Sequence, residues 1–138
     1  MKRLLLPLIG FIGLSFSVAT LASDKVSPET VKGATTVNAT QAKAMFDKGA
    51  LFIDVRSDKD WAAGRIPDAV HIELKHKFNE AALSATVKKD QDVVFYCNGH
   101  SCLRSSEASE QAVAWGFSKV HYFRDGIPAW KDAGYPVE

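Results

Sequence analysis

The segment DVVFYCNGHSCLRS, residues 92–105, decides the fold of this chain. Its first half, Asp92–Cys97, is apolar, β-branched and aromatic, which predicts a strand buried on both faces. The polar stretch 98–103 contains a glycine and predicts a loop. A helix is predicted from Arg104 to Trp115, with Ser105 or Ser106 as its cap and Gly116 as its stop. The segment therefore predicts a strand, a loop and a helix in direct succession.

The same alternation extends to both sides of this segment. Thr40 is predicted to cap a first helix, and Gly49 to end it. The predicted helices are 41–48, 57–63, 77–88 and 127–133, and the further predicted strands are 51–55, 69–72 and 119–123. Strands that alternate with helices through short loops favour one α/β domain with a mostly parallel central sheet and helices on both faces.

The N-terminus has the pattern of a targeting segment. Lys2 and Arg3 precede an uncharged apolar run, and small residues follow up to Ala22. This predicts a cleaved signal peptide over 1–22, a flexible lead-in over 23–36 and the domain over 37–138. The alternative is a retained membrane anchor, since the run is about long enough to span a bilayer. The compact basic start indicates a bacterium, and export then predicts the periplasm.

The composition argues against several classes of partner. The 138 residues have a formal net charge of +1. Removal of 1–22 takes away two basic residues and no acidic one, so the charge becomes −1. Such a balance gives no electrostatic reason to bind nucleic acid or a membrane surface. The two cysteines share one loop with four residues between them, unlike a disulfide framework that staples distant elements.

Cys97 is the candidate nucleophile. It ends a predicted strand directly before a loop that feeds a helix, the place where ligands bind in open α/β sheets. Loop amides and the positive end of the helix dipole favour an anion there, so the sulfur is expected to be a thiolate near neutral pH. Arg104 adds a planar cationic group at the end of the loop. The alternative is a buried, inert cysteine.

Three motifs follow one another along the chain: Phe52–Arg56 with Trp61 and Gly64–Ala69, Phe95–Cys97 with Arg104, Ser105, Ala108 and Trp115–Phe117, and Gly126–Trp130. In this order they resemble the rhodanese homology domain. The resemblance covers about 37–137, nearly all of the predicted mature chain.

The resemblance implies sulfur transfer without a metal or an organic cofactor. Cys97 would attack a sulfane donor such as thiosulfate and form a persulfide. A thiol acceptor, either a small thiol or a periplasmic protein, would then take the outer sulfur. Arg104 would bind the anionic leaving group, Asp54 and Arg56 would brace the sheet near the loop, and the protein would be a monomer. The loop residues implied in substrate binding are Asn98, Gly99, His100, Ser101, Cys102, Leu103 and Ser105.

Two departures from the family keep alternatives open. Arg104 stands seven places after Cys97, two more than in the common rhodanese loop. The longer loop of this chain resembles the loops of cell-cycle phosphatases and arsenate reductases. The loop also contains Cys102, either a resolving thiol for Cys97 or a packing residue. A thiol redox or sulfur-relay protein using the cysteine pair, a phosphatase-like or arsenate-reductase-like enzyme, and a non-catalytic binding module are therefore the alternatives.

Overall fold

The central element of the fold is a parallel sheet whose strands all end at the same edge. The computed structural model describes residue 10 and residues 25–138. Every strand pair in this part of the chain is parallel, in the order β1-β5-β4-β2-β3. The strands are β1 (Thr35–Thr36), β2 (Leu51–Asp54), β3 (Val70–His71), β4 (Val93–Tyr96) and β5 (Val120–Phe123). The predicted α/β class is confirmed.

Helices cover both faces of this sheet. They are α1 (Ala39–Asp47), α2 (Asp58–Ala63), α3 (Glu80–Ser84), α4 (Arg104–Ala114) and α5 (Gly126–Asp132). Side chains of β4 alternate between two apolar clusters: Phe95 packs in the cluster with α3 and α4, while Tyr96 packs in the one with α1 and α5. Residues 93–97 of this central segment are all at most 1% exposed, as expected for a parallel sheet covered on both sides.

Three predictions about helix ends are wrong. Asn38, not Thr40, caps α1, through a capping box with Gln41. The helix predicted over 77–88 is limited to α3, because the amides of Lys77 and Phe78 both donate to the Glu73 carbonyl in a turn. Leu103 occupies the cap position of α4 and provides no side-chain bond, so neither serine is its cap.

The segment 25–36, predicted as part of a flexible lead-in, is packed against the domain. Val31 is buried, β1 pairs with β5, and the Tyr122 hydroxyl donates to the Pro28 carbonyl at 2.8 Å. The polar composition of this segment does not indicate the apolar contacts and backbone hydrogen bonds that hold it. The predicted signal peptide over 1–22, or its alternative as an anchor, lies outside the described residues apart from Gly10. Within the described part, no helix is long and apolar enough to cross a membrane.

Candidate active site

The structure places Cys97 and Cys102 in a disulfide. Their Cα atoms are 6.3 Å apart, within the range that a disulfide spans. Cys97 is only 1% exposed, directly after β4, whereas Cys102 is partly exposed. The expected thiolate is thus found in its oxidised form, with its neighbour in the loop as the partner.

Backbone hydrogen bonds from three directions hold the loop 97–103. The Ile127 amide donates to the Cys97 carbonyl at 3.0 Å, and the Cys102 amide donates to the Gly99 carbonyl at 3.0 Å. On the outer side, the Ser27 amide donates to the His100 carbonyl at 2.7 Å. The positions of the loop atoms are therefore set by α5 and by the N-terminal segment as well as by the loop itself.

Two glycines allow the loop to approach α5. Gly99 has a φ of +106°, which glycine adopts without steric cost. Gly126 has a φ of +64°, and a Cβ at that position would overlap the Cys97 carbonyl and lie 2.9 Å from the Gly99 amide nitrogen. Any side chain at 126 would push the loop away from the sheet.

His100 of the loop pairs with Asp125 across this contact. Its Nε2 lies 2.5 Å from the Asp125 carboxylate, and both side chains are substantially exposed. The pair is a side-chain link between the loop and the segment that precedes α5.

Asp54 and Arg56 form a buried ion pair beneath the loop. Arg56 Nη2 donates to Asp54 Oδ2 at 2.7 Å, and the Tyr96 hydroxyl donates to the same oxygen at 2.7 Å. Burial and the nearby Asp54 carboxylate raise the pKa of Tyr96, so the phenol stays protonated. Burial opposes ionisation of Arg56, but the hydrogen bonds from Arg56 to Asp54 and the nearby negative charge together outweigh it and raise the pKa of Arg56. The Arg56 guanidinium therefore stays charged.

This ion pair also reaches the loop. Arg56 Nη1 donates to the Asn98 side-chain oxygen at 3.3 Å, and the Asn98 amide group donates to Asp60 at 2.8 Å. The hydrogen bond from Asn98 lowers the pKa of Asp60. Asp54 and Arg56 thus lie where they brace the first loop residue after Cys97.

Arg104 pairs with Glu73, a residue that no sequence motif points to. Its Nη1 lies 2.5 Å from Glu73 Oε1 and 3.2 Å from the Val55 carbonyl. Burial would raise the pKa of Glu73, but hydrogen bonds from the Lys75 amide, Arg104 and His76 lower it to about 2. A lone acidic residue after a short strand is a weak signal, because nothing nearby in the sequence identifies its partner.

The N-terminus of α4 lies at the end of the loop. Helix α4 has eleven residues, and its first amides lack a side-chain cap. The Ser105 hydroxyl is buried and has no hydrogen-bond partner within the described residues, whereas the Ser106 hydroxyl donates to the Leu103 carbonyl. Free amides and an unpaired hydroxyl at a helix N-terminus favour an anion. After reduction, this end of the helix can stabilise a thiolate or a bound oxyanion.

Two surface cavities flank the loop. One, of about 440 Å³, lies on the side of Arg56, Asn98 and Pro128. The other, of about 300 Å³, is lined on the opposite side by Lys25, Lys75, Ser101, Cys102, Arg104 and Glu107, with Leu74 and Leu103. Cys97 lines neither cavity, which agrees with its burial.

Comparisons with known proteins agree with this architecture. The family model described as Rhodanese-like domain matches residues 38–133. The thiosulfate sulfurtransferase GlpE of Pseudomonas savastanoi pv. phaseolicola is 35% identical over 98 residues, which cover 71% of this chain and 87% of that protein.

Two solved structures are similar in fold. Human single-domain sulfurtransferase TSTD1 aligns with a TM-score of 0.61 and 25% identity, over 72% of this chain and 96% of its own. The protein RPA3614 of Rhodopseudomonas palustris, described as a possible tyrosine phosphatase, aligns with a TM-score of 0.63 and 25% identity, over 81% of this chain and 99% of its own.

Proposed function

Because the chain belongs to the family of rhodanese-like domains, we propose that it transfers sulfane sulfur from a donor such as thiosulfate to a thiol acceptor through a persulfide on Cys97. Relatives named as sulfurtransferases support the enzyme class. The observation that supports the proposal for this chain is the position of Cys97. It lies between the end of β4 and the N-terminus of α4, in a loop held by α5.

The reaction begins with the reduced protein. The Cys97 thiolate attacks the outer sulfur of thiosulfate, the S–S bond of the donor breaks, and sulfite leaves with the electron pair. An acceptor thiolate then attacks the outer sulfur of the persulfide, and the Cys97 thiolate is the leaving group. The loop amides and the free end of α4 stabilise the anion in both steps, and no metal or cofactor takes part.

Arg104 has a divided role in this proposal. Its Nη1 is occupied by Glu73 and the Val55 carbonyl, which fixes the guanidinium at the loop. Its other nitrogens make no hydrogen bond with any residue in 25–138, and the side chain lines the cavity beside Cys102. Those nitrogens can bind the anionic part of the donor, while Glu73 holds the side chain in place.

The experiment that tests this proposal is mass spectrometry of the protein after reduction, removal of the reductant and incubation with thiosulfate. The wild type and Cys102→Ala should each gain about one sulfur mass on residue 97, and cyanide should release it as thiocyanate. Cys97→Ser should gain none while remaining folded. Sulfur on Cys97→Ser, or none on the wild type, would contradict the proposal. Hydrolysis of p-nitrophenyl phosphate without sulfur uptake would support the phosphatase-like alternative instead.

The cysteine pair favours a second element of the proposal, in which oxidation switches transfer off. With Cys97 in the disulfide, no nucleophilic sulfur remains. Mild oxidant should therefore inactivate the wild type reversibly, and Cys102→Ala irreversibly, because an unprotected Cys97 proceeds to sulfinic acid. Equal recovery of both proteins with dithiothreitol would make Cys102 a packing residue.

We place the protein in an oxidising, periplasmic compartment on the pattern of residues 1–22. There it would act as a monomer on a small donor and a small or protein thiol acceptor. Fractionation of expressing cells, followed by N-terminal sequencing of the mature chain, tests the location. A chain that retains residues 1–22 in the cytosol would contradict it.

A further inference from the structure

The two sulfurs of the disulfide differ in how far an external reagent can reach them. Cys97 is 1% exposed and lines neither cavity beside the loop, while Cys102 is partly exposed and lines the cavity of about 300 Å³. Thiol–disulfide exchange begins with attack by a thiolate on a sulfur that it can reach. In this loop, that sulfur belongs to Cys102.

One wall of the cavity presents Lys75. The Glu73 carboxylate accepts from the Lys75 amide at 3.0 Å and from Arg104 at 2.5 Å, so it ties the turn after β3 to the end of the loop. The Lys75 side chain is exposed and makes no ion pair with any residue that the structure describes. Its charge is therefore available to a ligand in the cavity.

The second lysine of the cavity, Lys25, comes from the N-terminal segment. This segment is anchored two residues later, where Ser27 donates to the His100 carbonyl and accepts from Arg124 at 2.8 Å on its own carbonyl. Lys25 is exposed and also has no ion-pair partner within residues 25–138. Both lysines thus lie on elements that are fixed to the loop.

The charges around the cavity favour an anion. Lys25, Lys75 and Arg104 line it together with a single acidic residue, Glu107. Arg104 is balanced by Glu73 outside the lining, which leaves two lysines against one carboxylate. A cleft with an excess of one charge raises the local concentration of oppositely charged ligands and their rate of association.

We propose that this cavity docks a small thiol that carries carboxylate groups, and that this thiol opens the disulfide by attacking Cys102. The proposal deepens the proposed function and rests on it, because opening the disulfide restores the Cys97 thiolate that would receive sulfur. The class of molecule proposed to reactivate the site is therefore an anionic thiol.

The chemistry balances with two equivalents of thiol. The first thiolate forms a bond with Cys102 Sγ, the bond between the two cysteine sulfurs breaks, and Cys97 leaves as a thiolate at the free end of α4. A second thiolate then attacks the bound thiol's sulfur, releases the Cys102 thiolate, and forms the small disulfide. Two electrons pass to the protein. Cys97 is the better leaving group of the two, because the loop amides and the helix N-terminus stabilise its anion.

The first part of the test locates the mixed disulfide. The oxidised full-length protein is mixed with mercaptosuccinate, quenched with N-ethylmaleimide within the first turnover and digested with trypsin. Both cysteines lie in the tryptic peptide 90–104, so fragmentation assigns each modification. We expect mercaptosuccinate on Cys102 and maleimide on Cys97. The reverse assignment would overturn the proposal.

The second part tests the charge of the cavity. We expect Lys25→Gln combined with Lys75→Gln to slow opening by mercaptosuccinate about tenfold at low salt, and opening by neutral 2-mercaptoethanol less than twofold. The matched control changes Lys48 and Lys119 to Gln, since these line a cavity at the other end of the sheet. Equal slowing for both thiols, or for both pairs of variants, would overturn the proposal. No sulfur donor is used, so a protein that opens as described but takes up no sulfur contradicts the proposed function alone.

Discussion

The Glu73 carboxylate accepts hydrogen bonds from two separate segments of the chain. It receives the Arg104 guanidinium, the amides of Lys75 and His76, and the His76 ring within hydrogen-bonding distance. These contacts keep the carboxylate ionised although the side chain is 9% exposed. The turn after β3 and the end of the active-site loop are thereby held together by one residue.

The pKa of Glu73 predicts an acid-sensitive contribution to stability. Folding lowers this pKa from its ordinary value of 4.5 to about 2. The stabilisation is therefore complete above pH 4.5 and is lost as the pH falls towards 2. We expect urea unfolding of the wild type to show a steeper loss of stability across this range than unfolding of Glu73→Gln. Glu80→Gln, which alters an exposed ion pair with Lys89, serves as the control and should follow the wild type. Parallel curves for the wild type and Glu73→Gln would contradict the prediction.

The turn between β5 and α5 packs against the loop 97–103. The amide of Ile127 and the bare Cα of Gly126 lie directly against the Cys97 carbonyl. The loop therefore depends on the start of α5 as much as on its own sequence.

Gly126→Ala should consequently damage the site more than a positive φ alone explains. A left-handed φ costs an alanine about 1–2 kcal/mol, and the overlap with the loop backbone adds about 1–3 kcal/mol. Gly134→Ala is the control, because Gly134 has a φ of +78° and open space around its Cα. We expect the free energy of unfolding to fall further for Gly126→Ala, and its sulfur transfer to decrease. Equal losses of stability and full activity in both variants would show that the loop adapts.

The elements that the sequence predicted well are those with local signals. The β4 strand and the helix after the loop were predicted within two residues, because a buried parallel strand is apolar throughout and Gly116 stops the helix. The segment 77–88 has helical spacing, yet a local turn, in which the amides of Lys77 and Phe78 donate to the Glu73 carbonyl, takes its first residues out of the helix. Cys97 and Arg104 can be selected from the sequence by residue type and position. The hydrogen bonds of Glu73 and of the Ser27 amide join distant parts of the chain, so no local sequence pattern predicts them.

One end of the N-terminal segment 25–36 is bonded to the loop and to Arg124, which follows β5. Its Ser27 accepts from Arg124 at both its hydroxyl and its carbonyl, and its amide donates to the loop. A segment with a mostly polar sequence is thus part of the wall of the site, and the domain is larger than its family motifs.

Removing the Arg124 side chain should release this segment while leaving the sheet intact. The lost charge-assisted hydrogen bonds are worth about 1.5–3 kcal/mol, which corresponds to roughly a tenfold or greater increase in local opening. We expect trypsin to cleave Arg124→Ala after Lys32 about ten times faster than the wild type. Arg65→Ala, which removes a distant ion pair with Glu138, is the control and should be cleaved like the wild type. Unchanged cleavage in Arg124→Ala would show that the other contacts of the segment retain it without Arg124.

The disulfide also decides how this protein responds to covalent inhibitors. Cys97 and Cys102 are the only cysteines of the chain, and they are bonded to each other. An electrophilic fragment library screened against the oxidised protein would therefore find no thiol to label and would report an unreactive target. The same library applied after reduction would meet two thiols of unequal accessibility in one short loop. The redox history of the sample, more than the choice of warhead, would determine which compounds are selected.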